Sequence, residues 1–209
     1  MVRIVRFVAG YLKTNTYLVW SDADRRAVIV DAGGGFDRIE KFVESNTLNV
    51  EALLVTHGHF DHITIAKKLK DKFNLKIYIH KNDEFMLTNE DNLARNITGK
   101  FVEKCSFDVV LEGGEILDFG EMKFEVIHTP GHSKGSVVYI LNGQYMFSGD
   151  TLFHECYGAT HFYGGSMEEM AESLNKLFAL PGDYIVHCGH EEDTTLEHER
   201  RYNPIKYDV

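Results

Sequence analysis

The sequence predicts an α+β fold with two sheet-forming halves, each accompanied by helices, and three observations predict it. Short apolar or alternating runs recur along the chain and are bounded by Gly, Asn and Asp, the punctuation of strands. Residues 52–79 read as strand, helix, strand, a βαβ-like unit. Residues 107–147 are strand-rich and are followed by a helix, 166–179, that carries its own start and stop signals. With 209 residues the chain has the length of one domain spanning 1–209.

The elements follow in order. Residues 2–8, 16–20 and 27–30 are strand-like, with the polar turn Asp22-Ala23-Asp24 between the second and third. Gly33-Gly34-Gly35 lacks the spacing and the lysine of a phosphate-binding loop, so it reads as a tight strand-to-helix turn. Residues 36–45 place Ile39, Phe42 and Val43 on one helical face. The apolar run Ala52-Leu53-Leu54-Val55 is a buried strand, Ile63, Ile65, Ala66 and Leu69 recur at helical spacing, and residues 74–79 return as a strand. Residues 81–105 are hardest to read, with a short helix at 84–87 and then a polar stretch. Asn142-Gly143 marks a hairpin. Ser166 with Glu169 three residues on forms a capping box, and Pro181-Gly182 lies beyond that helix's end. A last strand precedes His190, and residues 195–201 close the chain as a helix.

Composition excludes several classes. Hydrophobic residues at 44% and charged residues at 26% are those of a globular protein with a sizeable core. No apolar stretch approaches the ~20 residues that span a bilayer, and the alternating start Met1-Val2-Arg3-Ile4-Val5-Arg6-Phe7 is not a signal peptide. Cys105, Cys156 and Cys188 are odd in number and far apart, so no disulfide framework is expected and the cytoplasm is the expected setting. A net charge of −10, from 22 basic and 32 acidic residues, opposes nucleic-acid binding.

The chemistry concentrates in Thr56-His57-Gly58-His59-Phe60-Asp61-His62, on the turn leaving the 52–55 strand. Neutral imidazole suits zinc, iron and nickel, and carboxylate adds charge, so three histidines and an aspartate this close read as a metal site. Along extended chain, His57 and His59 point the same way while Asp61 and His62 enter the following turn, so that each pair serves a different ion. More ligands are needed to complete two ions. His132 in Thr129-Pro130-Gly131-His132, Asp150 in Ser148-Gly149-Asp150 and His190 in Cys188-Gly189-His190 each follow a glycine at the end of an apparent strand. Asp31 reads either as a hydrogen-bonding support for the ligand turn or as a plain turn cap. His128 and His187 read as packing residues, His80 as a surface or capping residue, His198 as part of a solvated helix, and Cys188 as a small buried apolar residue.

These motifs resemble the metallo-β-lactamase superfamily and, within it, the short glyoxalase II-like hydrolases. The resemblance rests on Val30-Asp31-Ala32-Gly33, the turn from His57 to His62, His128-Thr129-Pro130-Gly131-His132, Ser148-Gly149-Asp150-Thr151-Leu152-Phe153 and Cys188-Gly189-His190. The ending Thr194-Thr195-Leu196, Glu199-Arg200-Arg201 and Asn203-Pro204 extends it over nearly the whole chain. It implies an αββα sandwich, two mixed β-sheets flanked by helices, with the site at one edge between the halves. It implies His57, His59 and His132 on one ion, Asp61, His62 and His190 on the other, and Asp150 bridging. The expected cofactors are two divalent ions, zinc first and iron or manganese as alternatives. The expected reaction is hydrolysis of a small-molecule thioester, ester or lactone by a bridging hydroxide, with Asp61 orienting the nucleophile or moving its proton. A mononuclear iron enzyme resembling persulfide dioxygenases, using His57, His132 and Asp150, is the alternative. Polar aromatics on the loop after Asp150, namely His154, Tyr157, His161 and Tyr163, are the candidate substrate contacts.

Three departures bear on substrate. Ala159 and His161 stand where related short hydrolases often carry Arg and Asp, Thr64-Ile65 stands where small residues are common, and Lys134 where Pro is frequent. Larger glyoxalase II enzymes carry an additional C-terminal helical domain with glutathione contacts, whereas this sequence extends 19 residues past His190. A glutathione thioester is therefore not implied by the motifs alone.

Overall fold

The structure, a computed structural model, describes residues 1–89 and 92–208. Three antiparallel strands open it, β1 (Val2–Ala9), β2 (Thr14–Ser21) and β3 (Arg26–Val30). Helix α1 (Phe36–Ser45) then leads to β4 (Asn49–Leu54), and α2 (Phe60–Ile63) and α3 (Ala66–Phe73) lead to β5 (Lys76–His80). Helices α4 (Glu84–Thr88) and α5 (Ala94–Thr98) precede β6 (Val109–Leu111). The strands β3, β4, β5 and β6 run parallel, so the first sheet is mixed, in the order β1-β2-β3-β4-β5-β6.

The second half repeats the plan. It contains β7 (Ile116–Phe119), β8 (Met122–His128), β9 (Val137–Leu141), β10 (Tyr145–Gly149), the short pair β11 (Leu152–Phe153) and β12 (Cys156–Tyr157), α6 (Met167–Phe178), β13 (Ile185–Cys188), β14 (Thr194–Thr195), α7 (Leu196–Tyr202) and α8 (Ile205–Asp208). Its sheet has the order β14-β13-β10-β9-β8-β7 and is mixed because β10 and β13 run parallel. Asn142 and Gly143, at φ 51° and 64°, turn β9 into β10, the left-handed pair that a two-residue hairpin requires.

Strand alternation makes three apolar layers. In β3 and β4, Ala27, Ile29 and Leu53 face α1 and α3, where they meet Ile39, Val43, Ala66 and Leu69. Their neighbours Val28, Val30, Ala52 and Leu54 face the second sheet and pack with Phe124, Val126, Tyr139 and Phe147. Behind that sheet, Val138, Ile140 and Val186 pack against Met170, Leu174 and Leu177 of α6 and Leu196 of α7. The result is the expected αββα arrangement of two mixed sheets between helices. Half of the expected capping box forms: the Ser166 hydroxyl accepts from Glu169 N at 3.3 Å, whereas Ser166 N donates to Gly131 O and the Glu169 carboxylate turns instead to Lys134 at 2.8 Å. No helix among the described residues is long and apolar enough to cross a membrane.

All three cysteines are free, Cys156 exposed and the other two buried. Burial raises the Cys105 thiol and pushes Cys188 up to about 12. The native protein is expected to react rapidly at one thiol per chain with a disulfide reagent, and at the other two only after unfolding. Rapid reaction of a second thiol in the native state would contradict this packing.

Candidate metal centre

The ligand turn leaves β4, and its backbone is fixed from both sheets. Tyr139 Oη donates to Val55 O at 2.8 Å and Val137 N to Thr56 O at 2.8 Å, so the second sheet holds the start of the turn. Asp31, at a left-handed φ of 58°, accepts from Thr56 N at 2.8 Å, from Thr56 Oγ1 and from His62 Nδ1 at 2.7 Å. Both readings of Asp31 therefore hold, as a sharp turn and as a support for the ligand histidines. The His190 loop is tied back to β2 by Asn15 N to Gly189 O at 2.8 Å and by Tyr17 Oη to Cys188 O at 2.8 Å.

These anchors bring all seven predicted ligands into one cleft. His57, His59 and His132 form one donor set, Asp61, His62 and His190 a second, and His57, His62 and Asp150 a third that overlaps both, each with ligand atoms within 4.8 Å of one another. His59 Nδ1 lies 2.8 Å from His132 Nε2. His190 Nε2 lies 3.2 Å from Asp61 Oδ2 and 3.4 Å from Asp150 Oδ2, and His62 Nε2 is 3.2 Å from Asp150 Oδ1. His132 Nε2 is 3.5 Å from Asp150 Oδ2, so Asp150 touches both sets. Gly189 lies so close to Asp150 that a Cβ there would collide with Oδ1.

The donor chemistry fits divalent cations. His132 Nδ1 faces the carbonyl of Ala159 at 2.7 Å, so it must carry the proton, leaving Nε2 a bare lone pair turned into the cleft. His62 Nδ1 donates to Asp31 in the same way, the carboxylate-histidine pairing that orients a metal ligand. His57 Nε2 is buried with no hydrogen-bond partner. Such an orphan costs about 1–3 kcal/mol, and a cation would relieve it.

Electrostatics agree. Burial, reinforced by the neighbouring imidazoles, drives His57 well below its ordinary value and His59 down to about 3, so both are neutral donors. Burial alone would raise Asp61 and Asp150, but His62 and His190 override it and hold both carboxylates ionised. Burial would lower His62 and His190, but Asp61 and Asp150 override it, lifting His62 well above its usual range and His190 to about 9. In the metal-free protein at pH 7.5, below the value of about 9 at His190, that ring holds a proton that a cation must displace, and the upward shift of His62 acts in the same direction. Loading with zinc at that pH is expected to release at least one proton per chain, read by an indicator in weak buffer. Release of none would contradict the assignment.

The remaining predicted residues are placed as follows. His128 stacks on His80 at 4.1 Å and bonds Lys134 O at 2.9 Å. His187 stacks on Phe147 and bonds Asp193 at 2.9 Å. His80 is buried rather than on the surface, and its capping role is real, with Asn82 N donating to Nδ1 at 3.2 Å. On the loop after Asp150, His154 turns away toward Glu192 and α7, Tyr157 packs against the third core layer, and His161 and Tyr163 flank Phe162. Sequence reasoning missed Phe162, whose ring stands 5.8 Å from His59 and 6.1 Å from His132. It missed Thr14, whose hydroxyl donates to Asp61 Oδ2 at 2.9 Å. It also missed Asp83, a buried carboxylate joining the His57–His62 turn to the His132 loop.

Comparison with known proteins agrees with this geometry. The family model for the metallo-beta-lactamase superfamily matches residues 9–190. The hydroxyacylglutathione hydrolase GloC of Haemophilus influenzae is 34% identical, over 91% of this chain and 92% of its own. The crystal structure of the BLEG-1 B3 metallo-beta-lactamase superposes with a TM-score of 0.93 at 33% identity, covering 98% of this chain and 100% of that one. The structure of TTHA1623 in a di-iron-bound form gives 0.84 at 33% identity, covering 96% and 98%. With the fold, the histidine and aspartate cluster and these matches in agreement, the chain belongs to the metallo-beta-lactamase superfamily of metal-dependent hydrolases, in its glyoxalase II-like group.

Proposed function

We propose that this protein is a dinuclear hydrolase of small thioesters, esters or lactones, with hydroxyacyl thioesters as the first substrate class to try. The observation that carries the reading is the pair of donor sets meeting at Asp150 inside one buried cleft. In this reading His57, His59 and His132 hold one ion, Asp61, His62 and His190 the other, and Asp150 both. Zinc is the proposed native metal, iron or manganese being the alternatives. Bound divalent ions lower the pKa of water from about 15.7 toward roughly 7 and polarise a carbonyl oxygen.

The chain's own groups do the rest. Asp61, held by a hydrogen bond from the Thr14 hydroxyl, would orient the attacking water or move its proton. Asp31 fixes the His62 ring, and the Ala159 carbonyl fixes His132. Phe162 against His59 and His132, and Phe153 6.0 Å from His190, wall the cleft with apolar surface that limits water. His161 and Tyr163 on either side of Phe162 are the proposed substrate contacts; His154 and Tyr157 engage other parts of the fold. The proposed protein is a single cytoplasmic domain whose partner is a small molecule, its charge of −10 disfavouring nucleic acid.

The GloC relative supports a thioester first. A mononuclear iron oxygenase would use His57, His132 and Asp150, leaving Asp61, His62 and His190 without a common task. The test is a panel of hydroxyacyl thioesters, lactones and phosphodiesters assayed with and without chelator, alongside oxygen uptake. Thioester hydrolysis lost to chelator and restored by zinc is expected. Oxygen consumption without hydrolysis would overturn the reading.

A further inference from the structure

A second group of metal-competent side chains lies outside the cleft. His154 and Glu155 follow β11, and His198 projects from the first turn of α7. Glu155 Oε1 is 2.9 Å from His198 Nε2 and 3.8 Å from His154 Nε2, and the three ligand atoms lie within 4.8 Å of one another. Ligands bonded tetrahedrally at about 2.0–2.1 Å stand roughly 3.3 Å apart, so the two separations bracket the spacing an ion needs. His154 Nδ1 faces Glu192 Oε1 at 3.1 Å. A carboxylate there keeps the proton on Nδ1 and leaves Nε2 a lone pair aimed at Glu155, as metal-binding histidines are commonly held.

The backbone beneath these side chains is fixed. Glu199, fully buried, accepts from Glu155 N at 3.0 Å, Thr194 Oγ1 at 2.7 Å and Asn203 Nδ2 at 2.9 Å. Thr195 Oγ1 accepts from His198 N at 3.2 Å, capping α7. The donors remain reachable, with His154, Glu155 and His198 side chains 36%, 53% and 35% exposed. His154 and His198 border a hollow of about 330 Å³ lined also by Asp193, Thr194 and Thr195, room for solvent to complete a coordination shell.

We infer that His154, Glu155 and His198 form a separate, exchangeable site for a borderline divalent transition ion, with Zn²⁺ as the reference, which ties the loop after Asp150 to α7. Two imidazoles and one carboxylate favour zinc, nickel or copper over magnesium. The site is independent of the buried centre and of the reaction proposed for it.

The experiment starts from protein whose buried centre is already loaded. Zinc is added at micromolar free concentration, bound metal is counted by equilibrium dialysis with elemental analysis, and thermal midpoints are recorded with zinc and with magnesium. The native protein is expected to take up one zinc more than His198→Gln and to rise in midpoint with zinc only, while the variant binds that ion at least tenfold more weakly and shows no rise. Glu155→Gln, at a more exposed carboxylate, serves the same comparison if His198→Gln folds poorly. Equal uptake by native protein and variants, or a magnesium response matching that of zinc, would overturn the inference. Because the reading is a difference above the loaded state, it stands or falls apart from the count in the buried centre.

Discussion

Replacing Asp150 with alanine is expected to lower turnover by about a thousand-fold or more, several kcal/mol of transition-state stabilisation, and to bring bound metal below two ions per chain. Asp150 is the one residue whose two oxygens face both halves of the cluster, Oδ1 toward His62 at 3.2 Å and Oδ2 toward His132 and His190 at 3.5 and 3.4 Å. Its removal takes a negative charge from a pocket proposed to hold two dications, and it leaves three imidazoles facing a gap. Asp150→Asn keeps the shape and removes the charge, so it separates electrostatics from packing. Its metal content is expected to follow the alanine variant, and its folding the native protein. Full turnover and metal content in Asp150→Ala, measured by thioester assay and elemental analysis, would contradict the role.

The second large effect is expected far from the reacting atoms. Asp83 is fully buried and accepts from Gly58 N at 2.9 Å, Ser133 Oγ at 2.6 Å and Gly135 N at 2.7 Å. It thereby joins the turn carrying His57 and His59 to the loop carrying His132. Asp83→Ala strands two buried backbone N–H groups, each worth about 1–3 kcal/mol when left unpaired, while the Ser133 hydroxyl keeps its bond to Ser136 Oγ. A loss of at least about 2 kcal/mol in denaturant stability follows. Because the two turns would then move apart, metal affinity is expected to fall roughly 10–100-fold, as for other supporting partners of metal ligands. Asp83→Asn, which can still accept through one oxygen, is expected to recover part of both. Unchanged metal affinity in a folded Asp83→Ala protein would show that the loops are positioned without it.

How these two residues differ in sequence explains what could be read there. Asp150 stands after a glycine at a strand end, in the setting shared by His132 and His190, and the density of ligand-type residues from His57 to His62 set the pattern that made the others visible. Asp83 carries no such mark, because its partners lie at positions 58, 133 and 135 and no local pattern encodes bonds across those spans. Thr14 is similar, a hydroxyl in a strand whose purpose appears only when Asp61 is brought beside it. Phe162 was hidden among the polar residues of its loop. His80 drew a surface reading because its burial depends on β8 bringing His128 onto its ring, a contact between different sheets.

The fold was legible where periodicity was long. The strands around 2–8 and 122–127 and the helices at 36–45 and 166–179 have apolar faces that a period of two or 3.6 reveals, and 52–55 is marked by an unbroken apolar run. The two-residue strands β11, β12 and β14 and the short α5 fall below the length at which any period can be recognised. They are set by tertiary bonds, such as the hold of Glu199 on the 152–157 hairpin.

The central claim, that seven side chains spread from His57 to His190 surround a pair of cations, is tested most directly by anomalous diffraction at the zinc edge from crystals grown with zinc. Two peaks within the cleft, roughly 3.5–4 Å apart, one against His57, His59 and His132 and the other against Asp61, His62 and His190, are the predicted result. A single peak in the cleft, or none, would contradict it.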